Sequence, residues 1–226
     1  MLSVVVPALN ESETIVATLA PLQPWRRRGA EVLVVDGGSG DSTPALATPF
    51  ADRVLRGPRG RARQMNAGAE AADGQVLVFL HADTRLPEDA DGAVLRAVTE
   101  DGRCWGRFDV RLEGADRHPL LRLVGRMMNA RSRLTGIATG DQALFVTRAA
   151  FRAVGGFPDQ PLMEDIALSR ALKRRCGPPA CLRERALTSS RRWEQGGVIR
   201  TILRMWALRL AYFLGVDPAR LARWYR

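Results

Sequence analysis

Lysine is almost missing from this chain: Lys173 is the one lysine among 34 basic residues. No Gly-Lys-Ser or Gly-Lys-Thr therefore occurs, which excludes a P-loop as the means of holding phosphate. Cysteine is scarce too. Cys104, Cys176 and Cys181 have no metal-ligand spacing and leave one thiol over in any pairing scheme. Zinc modules and disulfide scaffolds are thereby excluded, and a reducing, cytoplasmic setting is expected. No uncharged apolar run reaches the roughly 18–20 residues that cross a bilayer. The opening stretch MLSVVVPALNESE lacks a basic leading segment and turns acidic at once, so it reads as a first strand rather than a signal peptide. Internal repeats, low-complexity segments and flexible linkers are absent.

What is present describes a folded chain of 226 residues, 46% hydrophobic and 26% charged, a balance that excludes disorder. The net charge of +10 is carried by arginine, which grips phosphate or carboxylate through paired hydrogen bonds. An anionic partner fits that excess, and so does a GC-rich coding sequence. A nucleic-acid partner is not expected, because the arginines are scattered and no recognised binding module occurs.

Short apolar runs at 2–7, 31–36, 53–57 and 75–83 alternate with helical patterns at 11–22, 44–48, 62–72 and 87–100. Strands that are apolar throughout, each followed by a helix, predict a mostly parallel sheet covered on both faces. The second half changes style. Phe108, Val110 and Leu112 alternate with Arg107, Asp109 and Arg111, the pattern of a half-exposed strand over 104–112. A helix at 119–134, a strand at 142–147 and a Gly- and Pro-rich turn at 151–158 follow. A helix at 163–175, stopped by Gly177, precedes a longer one at 198–214 and a last one capped by Asp217 with Pro218 at its first position. The expectation is a single α/β domain with a Rossmann-like, mostly parallel central sheet flanked by helices and a C-terminal helical tail. It divides into a nucleotide-binding half near 1–85, an acceptor-side half near 86–195 and a tail near 196–226.

Ligands of open α/β sheets bind where loops leave the carboxyl ends of the strands. Pro7, Asn10 and Glu11 follow the first strand there, Asp36 ends the second, and His81 and Asp83 end the fourth. Acids gathered at one edge need a cation or hydrogen-bond donors to offset their repulsion. Asp36 precedes its glycines (GGSGDST), the reverse of a dinucleotide fingerprint, so it is expected to hydrogen-bond a base or ribose, or to cap its own turn. Asp83 is a candidate ligand for Mg²⁺ or Mn²⁺, which bridge carboxylates to phosphates. His81 either faces the ligand or satisfies its ring nitrogens in the core. Arg61, Arg63 and Asn66 open a helix, where an anion is favoured. Glu164 and Asp165 fall in the first turn of another; they complement its dipole, or one of them serves as a general base. Arg191, Arg192 and Trp193 form a phosphate clamp with an aromatic platform, or a charged rim anchored by one tryptophan.

Taken in order, VVVPALNES, VVDGGSGDST, GRARQMNAGAEAADGQVLVFLHADT, GDQALFVTRAAFRAVGGFP and LMEDIALSRAL resemble a family 2 glycosyltransferase of the GT-A fold. The likeness runs from residue 2 to about 175. Within the family it is most similar to the small bacterial branch associated with arsenosugar biosynthesis or radical-SAM clusters. The resemblance implies a UDP- or GDP-linked sugar donor, a divalent metal (Mn²⁺ or Mg²⁺) and transfer to an acceptor hydroxyl with inversion. It implies that Pro7, Asn10 and Glu11 line the nucleotide pocket, that Asp36 contacts the base or ribose, and that Asp83 is the metal-binding acid. His81 stands where the first acid of the family's Asp-x-Asp motif is expected. Gly140 and Asp141 match the acceptor-side Gly-Asp, and Asp165 the catalytic base. The family's Gln-x-x-Arg-Trp is only partly present, since Ser189 holds the glutamine position.

The helix at 198–214 carries Arg200, Arg204 and Arg209 among apolar residues. It is read as docked on the domain or a second subunit, with a membrane interface, and hence a lipid-linked acceptor, as the alternative. Two other functions compete. A sugar-nucleotide pyrophosphorylase would carry a Gly-rich, Arg-containing loop after the first strand, where PALNES stands. A catalytically inactive nucleotide-sugar-binding relative is suggested by His81.

Overall fold

The computed structural model describes residues 1–225, apart from the side chains of Arg192 and Gln195. The strands are β1 (Leu2–Ala8), β2 (Glu31–Asp36), β3 (Arg53–Arg56), β4 (Val76–Phe79), β5 (Thr84–Arg85), β6 (Trp105–Leu112), β7 (Leu144–Thr147) and β8 (Ala180–Thr188). They form one sheet in the spatial order β3-β2-β1-β4-β7-β6-β8-β5. Neighbours β3, β2, β1 and β4 are parallel, as are β6 and β8. β7 runs against β4 and β6, and β5 against β8.

Helices cover both faces: α1 (Ile15–Leu19), α2 (Gln23–Arg27), α3 (Thr43–Ala47), α4 (Arg61–Ala71), α5 (Ala90–Thr99), α6 (Pro119–Thr135), α7 (Arg148–Ala153), α8 (Glu164–Cys176), α9 (Arg191–Gly196), α10 (Val198–Phe213) and α11 (Pro218–Tyr225). Val4, Val6, Val32, Val34 and Val78 pack on one face with Ile15, Leu19, Leu22 and Trp25. Val5, Leu33, Val35, Leu77 and Phe79 pack on the other with Met65, Ala69, Phe151 and Leu168. Each apolar run thus feeds two cores, which explains its lack of alternation. α4 approaches β1 so closely that a Cβ on Gly68 would lie 2.3 Å from Val5 Cγ1.

Several expectations change. β4 ends at Phe79 rather than at residue 83, so His81 and Asp83 sit in the loop beyond it. Residues 148–153, which include part of the expected turn, form α7, capped by Thr147. Arg107 is buried rather than solvent-facing, because it reaches Ser132 Oγ (3.1 Å) and pairs with Asp109. β8 was not anticipated: Arg183, Glu184 and Arg185 give it a polar reading, and its pairing with β6 supplies the strand. Asp217 caps α11 as expected, accepting from Ala219 N–H at 2.8 Å.

Candidate active site

Parallel β1 and β4 deliver their following loops to the same sheet edge, and β8 brings Thr188 and Ser189 beside them. Because β7 is antiparallel to β4, the turn before it, Gly140–Gln142, also reaches this edge. α8 opens there as well. These segments enclose a cavity of ≈ 950 Å³ lined by Pro7, Glu11, Arg61, His81, Asp83, Gly140, Asp141, Glu164, Asp165, Arg191 and Trp193. Residues separated by 180 positions in sequence thus share one space.

At the centre, the Asp165 carboxylate accepts from Gly140 N–H (2.8 Å) and Ile166 N–H (2.7 Å). Burial, reinforced by the charge of neighbouring Glu164, nevertheless pushes its pKa up to about 6, against those two amides and Arg61. Arg61 Nη1 lies 3.4 Å from Glu164 Oε1. Burial alone would lower the Arg61 pKa, but the charges of Glu164, Asp141 and Asp165 outweigh it and hold that pKa above the ordinary guanidinium value. The Cε1–Nε2 edge of His81 lies against Gly140, where a Cβ would come within 2.2 Å of both ring atoms. Its Nδ1 lies 3.6 Å from Asp141 Oδ1. Asn10, Ala143 and Met163, the described non-glycine residues with positive φ, flank the segments that form this site. Met163 (φ 65°) sets the turn that aims Glu164 and Asp165 inward.

Asp36, Asn10, Arg63 and Asn66 are not part of this lining. Asp36 accepts from Gly38 N–H and Ser39 N–H, both at 3.0 Å, and so braces its own turn rather than lining the cavity. Asn10 ties the two loops together, its Oδ1 accepting from Gly40 N–H at 2.8 Å. Arg63 makes an exposed two-pronged pair with Asp159 (2.7 and 2.8 Å). Asn66 clamps the Phe157 backbone through both amide atoms. Arg191 reaches Glu11 at 3.5 Å across the mouth. The Arg192 side chain lies outside the described residues. Sequence reasoning missed Gln64, whose buried amide donates to the carbonyls of Ala8 and Val35 at 2.8 Å and fixes the ends of β1 and β2. It also missed Arg131, which lines the cavity from α6; its spacing from Val124 and Met128 was the available signal.

The family model described as glycosyl transferase family 2 matches residues 3–153. The chain belongs to that family. Poly-beta-1,6-N-acetyl-D-glucosamine synthase of Staphylococcus epidermidis is 24% identical over 185 residues, covering 74% of this chain and 44% of the relative. Among solved structures, S. aureus TarS 1–349 in complex with UDP superposes with a TM-score of 0.67 at 16% identity, over 83% of this chain and 60% of that one. The mannosyltransferase PcManGT of Pyrobaculum calidifontis, in complex with GDP-Man and Mn²⁺, gives 0.62 at 22% identity, over 82% and 56%. The chain spans under half the length of that curated synthase, and the structural matches establish the GT-A-like fold. This family 2 member therefore carries its cavity on a glycosyltransferase framework.

A divalent cation is implied by the fold. No ready-made cluster of three ligating side chains exists among the described residues. Asp83, His81 and Asp141 nevertheless share the cavity, and Mn²⁺ or Mg²⁺ is commonly held by one or two carboxylates with substrate phosphates completing the shell. Carboxylate and imidazole are ligand types that such an ion accepts.

Proposed function

We propose that this chain is an inverting glycosyltransferase that moves a sugar from a nucleotide-diphospho-sugar to an acceptor hydroxyl. The observation that carries the reading is Asp165, an acid with a pKa pushed up to about 6, facing the cavity that also contains Asp83. Gly140 N–H and Ile166 N–H orient its carboxylate. From there it accepts the proton of an acceptor hydroxyl as that oxygen attacks the anomeric carbon. One base and one displacement invert the centre. Asp83, with His81 or Asp141, would hold the divalent ion, which supplies charge stabilisation for the departing diphosphate. Arg61 and Arg191 add positive charge near that leaving group, and Pro7 and Glu11 line the nucleotide end.

The ligands of the structural relatives, UDP in one and GDP-Man with Mn²⁺ in the other, support a nucleotide-sugar donor. We further propose the division into halves near 1–85 and 86–195 with a tail near 196–226, and membership of the branch associated with arsenosugar biosynthesis or radical-SAM clusters, on the five motifs quoted above. None of the described helices is long and apolar enough to cross a membrane. One face of α10 docks on α8 through Leu208 near Met163 and Ile166. Ile199, Leu203, Trp206, Leu210 and Phe213 form an exposed apolar stripe on α10. That stripe supports contact with the cytoplasmic face of a membrane and a lipid-linked acceptor, with a second subunit as the alternative occupant.

The reading is tested by incubating UDP- and GDP-sugars with Mn²⁺ and the full chain, and following release of UDP or GDP. Turnover in the wild type that vanishes in Asp165→Asn, with nucleotide affinity retained, is the expected result. Nucleotide binding without any release would favour an inactive binding relative, the reading that His81 suggests.

A further inference from the structure

Arg131 has no part in the steps above. It occupies the α6 face shared with Val124 and Met128, and its side chain lines the cavity. Nε and Nη2 are enclosed and have no hydrogen-bond partner among the described residues. The two arginines buried as whole residues are served differently. Arg107 donates to Ser132, Asn129 and Asp109, and Arg148 to the carbonyls of Ala69, Ala72 and Gly74. An enclosed guanidinium edge left unpaired is costly, and Nε with Nη2 is an edge that donates side by side to two oxygens of a carboxylate or phosphate. Asp141 and Asp165 are near enough to act on its charge, but neither hydrogen-bonds these two atoms.

We propose that Arg131 binds an anionic group, phosphate or carboxylate, borne by the acceptor. This rests on the glycosyltransferase reading and names the acceptor's chemistry. The group is assigned to the acceptor rather than the donor because Arg131 stands in the electrostatic field of Asp165, the proposed base, beside which the acceptor hydroxyl would sit. Met127, Met128, Met205, Trp206 and Phe213 line the same cavity from α6 and α10, with Arg204 and Arg209 among them. An acceptor anchored there by its charge would lay its remaining, less polar part along α6 and α10 and present its hydroxyl towards Asp165.

The test titrates the full chain, saturated with UDP and Mn²⁺ so that donor phosphate sites are filled. The titrants are inorganic phosphate, dodecyl phosphate and, as an uncharged control, dodecyl maltoside. Wild type, Arg131→Gln and Arg131→Lys are compared. At least one anion should bind wild type tenfold or more tightly than Arg131→Gln, with partial recovery in Arg131→Lys and UDP affinity within twofold. The melting temperature of Arg131→Gln should not fall, because an unpaired buried charge has been removed. A preference seen only with dodecyl phosphate assigns a lipid-borne acceptor, and equal preference for both anions a soluble one; either upholds the site. No anion binding to wild type, equal binding to Arg131→Gln, a tenfold loss of UDP affinity, or a lowered melting temperature would each overturn it. If wild type does not bind UDP, GDP takes its place; if it binds neither, the donor reading fails, and the same titrations without nucleotide still decide the anion site.

Discussion

Replacing Asp165 by asparagine should make the protein more stable while removing its activity. The acid's pKa rises from 3.8 to about 6, and two units of displacement correspond to ~3 kcal/mol of penalty on the ionised form. Asparagine removes that penalty but keeps only one acceptor oxygen for the two amides of Gly140 and Ile166, which costs about 1–2 kcal/mol. The net gain at pH 8 is about 1–2 kcal/mol, or ~3–6 °C in melting temperature for a chain of this size. The sign follows from linkage. A carboxyl whose folded pKa lies above its unfolded value costs stability fully above pH ~6, and that cost fades as the pH falls towards ~4. Melting curves of both proteins at pH 8, 7, 6, 5 and 4 should therefore diverge at high pH and converge near 4. In the wild type, kcat/KM should fall tenfold per pH unit below about 6, as the base becomes protonated. An asparagine variant less stable at pH 8, or a difference that ignores pH, would refute the argument that burial beside Glu164 raises this acid.

Gly140→Ala should destabilise the cleft and depress activity, since its Cβ would meet the His81 ring at 2.2 Å. His81→Ala in the same chain should restore much of the melting temperature, and additive effects in the double-mutant cycle would contradict the packing argument. Arg63→Ala should cost under about 1 kcal/mol and leave UDP affinity unchanged in a binding titration, because its pair with Asp159 is exposed.

Much of this architecture was legible because its causes are local. β4 is apolar at every position, and β1 and β2 carry unbroken apolar stretches at Val4–Val6 and Val32–Val35, since both faces are covered; that pattern survives in a single sequence. His81, Asp83, Glu164 and Asp165 stood at strand or helix starts and ends, where the topology has no choice but to expose them at one edge. Arg63, Asn66 and Arg61 share one helix start, yet only Arg61 turns into the cavity; the loop carrying Phe157 and Asp159 claims the other two. β8 was hidden by its charges, which tolerate half-exposure beside β6. Arg131 was harder to read: its spacing from Val124 and Met128 puts it on their face of α6, but what that face meets depends on how the helix packs against β6 and α10, a long-range matter.

The central claim is that acids distant in sequence gather around a nucleotide sugar with a divalent ion. It is tested most directly by calorimetric titration of UDP and GDP, with and without Mn²⁺, into wild type and Asp83→Ala. At least one nucleotide should bind wild type tenfold or more tightly with Mn²⁺, and Asp83→Ala should lose that enhancement while melting as a folded protein. Nucleotide binding that is indifferent to both Mn²⁺ and Asp83, or absent altogether, would contradict the account.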